Sequence, residues 1–256
     1  MELVGRSAVV TGGAGGLGQA TVRRLVALGL SVVVFDRRLE PAAALVEELG
    51  RRVVVVAGDV NDDADVETAI AAAQASGPLS VLVSTAGGGV GGGRTVGECL
   101  EPHPLDSFAR TMSLNAVGTF NVARLVAAAM ATNRPDDDGQ RGVLVHTASI
   151  AAMEGQAGQV AYAAAKAAIV GMTLPMARDL APLGIRVCTI APGPMATPVM
   201  ARVLAVVESD PIEGVLFPDR MGRPEEFALL VEAIVGNPYL NGEVIRLDGG
   251  LRLAPG

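Results

Sequence analysis

Short apolar runs of strand length alternate along this chain with longer stretches whose apolar positions recur at helical spacing. The pattern predicts strands at Ser7–Val10, Val32–Phe35, Val53–Ala57, Val81–Ser84, Gly142–Thr147, Ile185–Ile190 and Glu243–Leu247. Between them it predicts helices over Leu17–Leu28, Ala64–Ala75, Asp106–Met130, Val160–Leu183 and Pro224–Val235. A further helix opens at Pro41, where proline suits the first turn. Near-continuous Val/Ile runs separated by helices imply a parallel sheet covered on both faces. The expected fold is therefore α/β, a Rossmann-type doubly wound sheet of about seven strands forming a single domain over 1–256.

Three stretches break the rhythm. Gly87–Pro104 is rich in glycine, Thr132–Gly142 holds Asp136, Asp137 and Asp138, and Pro192–Arg223 is weakly periodic. The acidic stretch precedes a strand and reads as a solvated loop. The other two follow carboxyl ends of strands, where open α/β sheets bind ligands. Substrate-loop segments are accordingly expected near 87–104 and 194–223.

Composition narrows the function classes. Apolar residues make up 50% of the chain and charged residues 18%, which excludes general disorder. A net charge of −7 argues against nucleic acid and anionic membrane as partners. No apolar run reaches the roughly 18 residues of a membrane span, and the chain enters a strand almost at once. A soluble cytoplasmic protein is the expectation. Cys188 lies in an apolar strand and Cys99 in a loop, so no disulfide framework is implied. No metal site is expected, because neither His103 nor His146 has convergent ligands at suitable spacing.

Two features carry candidate chemistry. Thr11-Gly-Gly-Ala-Gly-Gly-Leu-Gly18 follows the first strand and opens the first helix, with glycines at Gly12, Gly15, Gly16 and Gly18. Backbone amides in such a turn can approach a pyrophosphate at the positive end of a helix. Asp36 ends the second strand, where a carboxylate can bond both ribose hydroxyls of NAD and repel a 2′-phosphate. Arg37 and Arg38 follow, either as a solvated turn or as acceptors of that phosphate. Asp59 can reach an adenine amino group or cap the helix at Ala64.

The second feature is sharper. Among 20 basic residues, Lys166 is the only lysine, and it follows Tyr162, one of two tyrosines, by one helical turn. A nearby ammonium is expected to lower the phenol pKa and tune it for proton exchange. Ser149, just past the fifth strand, can hold the substrate oxygen.

With these motifs the chain resembles the short-chain dehydrogenase/reductase family along nearly its full length. Thr11-Gly12-x-x-x-Gly16-x-Gly18 matches that family's cofactor motif, and Tyr162-x-x-x-Lys166 with Ser149 matches its active site. The resemblance implies an NAD-dependent enzyme interconverting a secondary alcohol and a ketone, with Asn115 as fourth catalytic member at a helix kink. It also implies cofactor contacts from Leu17, Val60, Ala86, Gly87, Pro192, Gly193, Met195 and Thr197, and a homotetramer. The chain departs from the family at Ser84-Thr85-Ala86-Gly87, where Asn-Asn-Ala-Gly is usual. That departure touches the hydrogen bonds that normally steady the central strand.

Gly155-Gln156-x-Gly158-Gln159, Ile169-Val-Gly-Met-Thr-Leu-Pro175 and Asn241-Gly-Glu-Val-Ile-Arg-Leu-Asp-Gly249 further resemble the 3-hydroxyacyl-CoA dehydrogenases of that family. This implies an acyl-CoA thioester as small-molecule substrate, with Gln156 in contact with it. Met153, Met195, Val199, Met200, Leu204 and Phe217 can cover an acyl chain, or form core or subunit interface. Other carbonyl, steroid or acyl-carrier-protein reductases are alternatives on the same scaffold, as is a nucleotide-binding scaffold or redox sensor without turnover.

Overall fold

Strands that are apolar on both faces must be covered on both, and this chain covers them by crossing the sheet with helices. In the computed structural model, which describes residues 2–89, 92–205 and 212–255, the first half runs β1 (Ser7–Thr11), α1 (Gly16–Ala27), β2 (Ser31–Asp36), α2 (Ala43–Leu49), β3 (Val53–Ala57), α3 (Asp63–Ser76) and β4 (Leu79–Ser84). Next come α4 (Leu105–Met112), α5 (Gly118–Ala131), β5 (Gly142–Thr147), α6 (Ala151–Glu154) and α7 (Val160–Leu180). The chain finishes with β6 (Ile185–Pro192), α8 (Pro198–Leu204), α9 (Pro224–Gly236) and β7 (Val244–Leu247). Parts of both predicted substrate loops, 90–91 and 206–211, lie outside the described residues.

All seven strands are parallel, in the order β3-β2-β1-β4-β5-β6-β7. The order reverses between β1 and β4, which opens a crevice at their carboxyl ends. Alternate residues feed two cores. Val143 and Val145 join Leu25, Phe227 and Val231 on the α1/α9 face, whereas Leu144 joins Val122, Val126 and Met176 on the α5/α7 face.

The helix predicted over Asp106–Met130 is interrupted. Ser113–Val117 forms a π turn between α4 and α5, and Asn115 sits inside it, fully buried. Such turns widen a helix locally and re-aim one side chain. Two helical stretches, Leu105–Ala131 and Val160–Leu183, are long and apolar enough to cross a membrane by length and composition. Each packs against the sheet, and each buries a polar residue, Asn115 and Lys166 respectively.

Where the chain departs from the family's Asn-Asn-Ala-Gly, other side chains supply the hydrogen bonds of the central strands. Thr85 Oγ1 donates to the Thr11 carbonyl at 2.6 Å, and the Ala86 amide donates to Thr11 Oγ1 at 3.2 Å. Ser84 Oγ lies 3.1 Å from His146 Nδ1 across the β4–β5 pair, and both residues are buried. Burial pushes the His146 imidazole down to about 4, so it is neutral at pH 7.

The folded state thus holds fewer protons at His146 than the unfolded chain does between pH 6.5 and 4, and stability falls as pH drops through that window. The full loss is about 3 kcal/mol, from 1.36 kcal/mol per pH unit. His146→Asn is expected to flatten that part of the profile, measured as the difference from the unsubstituted protein in urea unfolding at each pH. Parallel profiles for the two proteins would refute it.

Candidate active site

The crevice is built from the carboxyl ends of β1, β2, β4, β5 and β6. At β1 the chain must turn tightly into α1. Gly12 has a φ of +63°, and a Cβ there would meet the Ala86 amide at 2.6 Å. A Cβ on Gly18 would lie 2.3 Å from the Gly12 carbonyl oxygen. Only glycine allows this approach. Gly15 caps α1 without a side-chain bond, leaving the first-turn amides of Gly16, Leu17 and Gly18 without a side-chain acceptor. Uncapped amides at the positive end of a helix fit an anion such as a pyrophosphate.

Asp36 is anchored beside this turn, its carboxylate accepting from the Ala14 and Arg38 amides, each at 3.2 Å. Asp59 does not cap α3. That place belongs to Asp62, which accepts from the Ala64 and Asp65 amides. Asp59 instead accepts from Asn61 and lies 3.9 Å from the Arg37 guanidinium. Val60 is buried, and its carbonyl accepts from Asn121 Nδ2 at 3.0 Å.

The second half of the crevice centres on Lys166, which is 4% exposed. Its Nζ donates to the Thr147 carbonyl at the end of β5, at 3.0 Å, and lies 5.7 Å from the Tyr162 ring centroid. Thr147 O is its only hydrogen-bond acceptor among the described residues, so the ammonium retains donors for a ligand. A Cβ on Gly87 would come 3.2 Å from Nζ and 2.5 Å from Asn115 Oδ1, which places β4's exit directly beside both. Asn115 holds that exit by accepting from the Gly88 amide at 3.0 Å and donating to its carbonyl at 2.9 Å. Ser149 Oγ accepts from the Ala151 amide at 3.2 Å and neighbours the Tyr162 hydroxyl.

The titration of the pair corrects the sequence expectation. Burial pushes Lys166 down to about 8. Burial also raises the Tyr162 phenol above its ordinary value, and the neighbouring Ser149 hydroxyl offsets only part of this. Desolvation of the phenolate outweighs any pull from the ammonium, so Tyr162 is protonated at neutral pH. A protonated phenol beside a hydroxyl can pass a proton to an oxygen held between them and take it back.

The remaining predicted site residues close the crevice. Ile150 donates to the Pro192 carbonyl and Gly193 to the Leu247 carbonyl. Met195 is buried, and Thr197 caps α8 by accepting from the Met200 amide at 3.2 Å, which leaves its hydroxyl proton free to donate. A Cβ on Gly16 would touch Thr197, so this segment lies against the glycine turn. Among the candidate lid residues, Met153, Val199 and Phe217 are exposed and Met195 belongs to the core. Gln156 is turned to other partners, donating to the Ala254 carbonyl at 3.3 Å and accepting from Gln159. No group of three or more His, Cys, Asp or Glu side chains among the described residues is arranged to hold a metal ion.

The Ser84–His146 pair and the bonds of Thr85 escaped the sequence reading. Their one signal there was the departure from Asn-Asn, and only the register of β4 on β5 shows what replaces it.

Comparison with known proteins gives a consistent picture. The family described as short chain dehydrogenase matches residues 6–206. The chain is 50% identical to "3-hydroxyacyl-CoA dehydrogenase type-2" of Homo sapiens over 252 residues, 98% of this chain and 97% of that protein. The crystal structure of 3-hydroxyacyl-CoA dehydrogenase type-2 from Mycobacterium avium superposes with a TM-score of 0.95 at 48% identity, covering 100% of both chains. A 7α-hydroxysteroid dehydrogenase complexed with NADH and 7-oxo glycochenodeoxycholic acid superposes with a TM-score of 0.86 at 26% identity, covering 100% of this chain and 97% of that one.

A buried ammonium costs stability. Below pH 8 the full cost of charged Lys166 is present in the fold, and it fades as pH rises toward the unfolded value of 10.5. Lys166→Met is therefore expected to stabilise the protein at pH 7, by up to about 3 kcal/mol, with a smaller gain at pH 10. Guanidinium unfolding at the two pH values measures this, and equal destabilisation at both would count against it.

Proposed function

The chain belongs to the short-chain dehydrogenase family and is an oxidoreductase, and on that premise we propose that it interconverts 3-hydroxyacyl-CoA and 3-oxoacyl-CoA with NAD. The observation that carries this reading is the Ser149–Tyr162 hydroxyl pair set over the buried ammonium of Lys166. Ser149 orients the reacting oxygen, and Tyr162 exchanges a proton with it. Lys166 holds a positive charge beneath the phenol and offers its remaining donors to the ribose, while Asn115 fixes the backbone beside it. When bound, NAD supplies hydride transfer.

The residues that would hold NAD fit it. The amides of Gly16, Leu17 and Gly18, in the turn from Gly12 through Gly15, take the pyrophosphate. Asp36 takes the ribose hydroxyls, and Asp59 and Val60 line the adenine end. Ala86, Gly87, Pro192, Gly193, Met195 and Thr197 flank the nicotinamide end. NAD is favoured over NADP because the Asp36 carboxylate is pinned by two amides and would repel a 2′-phosphate. Arg37, the obvious acceptor for that phosphate, already faces Asp59. The thioester reading rests on the similarity to the hydroxyacyl-CoA enzymes and on the exposed apolar rim of Met153, Val199 and Phe217. With two free cysteines, Cys99 and Cys188, the protein suits a reducing cytoplasm.

A spectrophotometric screen of NADH formation over 3-hydroxyacyl-CoA chain lengths, repeated with NADP, tests this. The kcat/KM with NAD is expected to exceed that with NADP by at least ~10-fold. Tyr162→Phe should bind NAD normally and lose at least ~100-fold in kcat. A preference for NADP would remove the cofactor assignment, and turnover confined to steroids or free alcohols would remove the thioester.

We also propose a homotetramer without nucleic-acid or membrane partners. Val117, Phe120, Val160 and Leu174 leave apolar surface on the α5 and α7 side, all between 43% and 55% exposed, and such faces need a partner. The carboxyl-terminal stretch 247–256 can make the second contact, with Leu251 itself buried within its own subunit. Leu229 on α9 and the 97%-exposed Tyr239 beyond it offer the alternative surface. Light scattering is expected to give four times the 26.0 kDa chain mass; a dimer would reject the second surface, and a monomer both.

A further inference from the structure

The residues after β7 turn back across the crevice wall. Arg246, on β7, is the hub of this return. Its guanidinium donates to the Glu154 carboxylate at 2.8 and 3.2 Å, to Asp248 at 2.7 Å and to the Leu251 carbonyl at 2.8 Å. Glu154 closes α6, between Ser149 and Tyr162. Its carboxylate also accepts from the Leu253 amide at 3.0 Å and lies 3.5 Å from Arg252. These cations hold its carboxyl below the usual range. Farther along, the Ala157 amide donates to the Pro255 carbonyl at 3.0 Å, and Gln156 donates to Ala254.

One edge of the segment 154–159 is thus stitched to the tail. The same segment is bonded to the glycine-rich loop, through the Gly93 amide to the Gly158 carbonyl at 2.9 Å. The same tail reaches the other wall, where the amides of Leu216 and Phe217 donate to the Gly249 carbonyl at 3.0 and 3.2 Å. The segment that carries the chain from Ser149 to Tyr162 and the exposed apolar Phe217 therefore share one support.

We propose that residues 248–255 form a strap that positions the substrate walls, with Glu154 and Arg246 as positioning residues for substrate binding. Neither touches the reacting groups or the glycine turn. Their partly buried ion pair fixes where the strap begins, and backbone bonds carry the constraint to Ala157 and Phe217. A charge-assisted bidentate pair is suited to this, because it constrains orientation as well as distance. The strap's effect on turnover rests on the oxidoreductase reading above; its mechanical part does not.

Three proteins test it: Glu154→Gln, a chain ending at Arg252, and Arg246→Lys. For the first two, KM for a 3-hydroxyacyl-CoA is expected to rise ~10-fold or more with kcat changed less than ~2-fold, and NAD affinity by fluorescence titration should stay within ~2-fold. Arg246→Lys, which keeps the charge and loses the bidentate geometry, should fall between these and the unsubstituted enzyme. Hydrogen exchange at the Ala157 amide should accelerate at least ~10-fold in the shortened chain. An unchanged KM overturns the proposal, as does NAD affinity lost in parallel, which would mark general loosening. If the unsubstituted protein turns over no secondary alcohol or ketone, the functional reading fails by itself. The strap is then judged by exchange alone, and equal Ala157 rates in the two chains overturn it.

Discussion

One ammonium group buried against a strand end organises this molecule. Lys166 has little exposure, and its charge must be met by fixed dipoles in place of water. Thr147 meets part of it with a backbone carbonyl, which ties α7 to the end of β5. A Cβ at Gly87 would clash with Asn115 Oδ1 at 2.5 Å and crowd Nζ at 3.2 Å, so glycine fits beside the ammonium. Asn115 in turn holds the Gly88 backbone beside it, from a π turn that breaks an otherwise continuous helix. The glycine after β4 and the π turn, two departures from regular structure, thus lie beside one charge.

The same desolvation that makes the lysine costly keeps the neighbouring phenol protonated. Burial acts on both groups in the direction of their neutral forms. The site accordingly keeps a proton on Tyr162 and a reluctant positive charge beneath it. The charged lysine therefore costs the fold stability. The surrounding fold compensates through two large apolar cores and through buried polar pairs. Ser84 and His146 cross-link β4 to β5, and Thr85 bonds back to β1, so the departure from Asn-Asn leaves the strands connected.

The architecture was legible because it follows from periodicity. Valine-rich runs at Val32–Phe35 and Val53–Ala57 have no polar face to turn to water, so a two-sided parallel sheet was the available solution. The glycine turn and the Tyr162–Lys166 pair were equally legible, since each is local and separated by a fixed number of residues on one element. Asp59 was harder. Choosing between it and Asp62 as the cap of α3 needs the backbone path through Val60, which pattern does not supply. The bonds of Gln156 to Ala254 and Gln159 were equally beyond pattern, since the carboxyl-terminal tail returns from 98 residues away.

By itself the sequence determined the order of elements, the glycine turn after β1 and the Tyr162–Lys166 spacing on one helix, because these depend on spacings of a few residues. Tertiary structure alone decided the titration of Tyr162, the pairing of Ser84 with His146 and the return of the tail onto Glu154. Desolvation is a property of everything packed around a group. Contacts between residues some 60 to 100 positions apart (62 for Ser84–His146, 92 for Arg246–Glu154) arise only once the sheet sets its register.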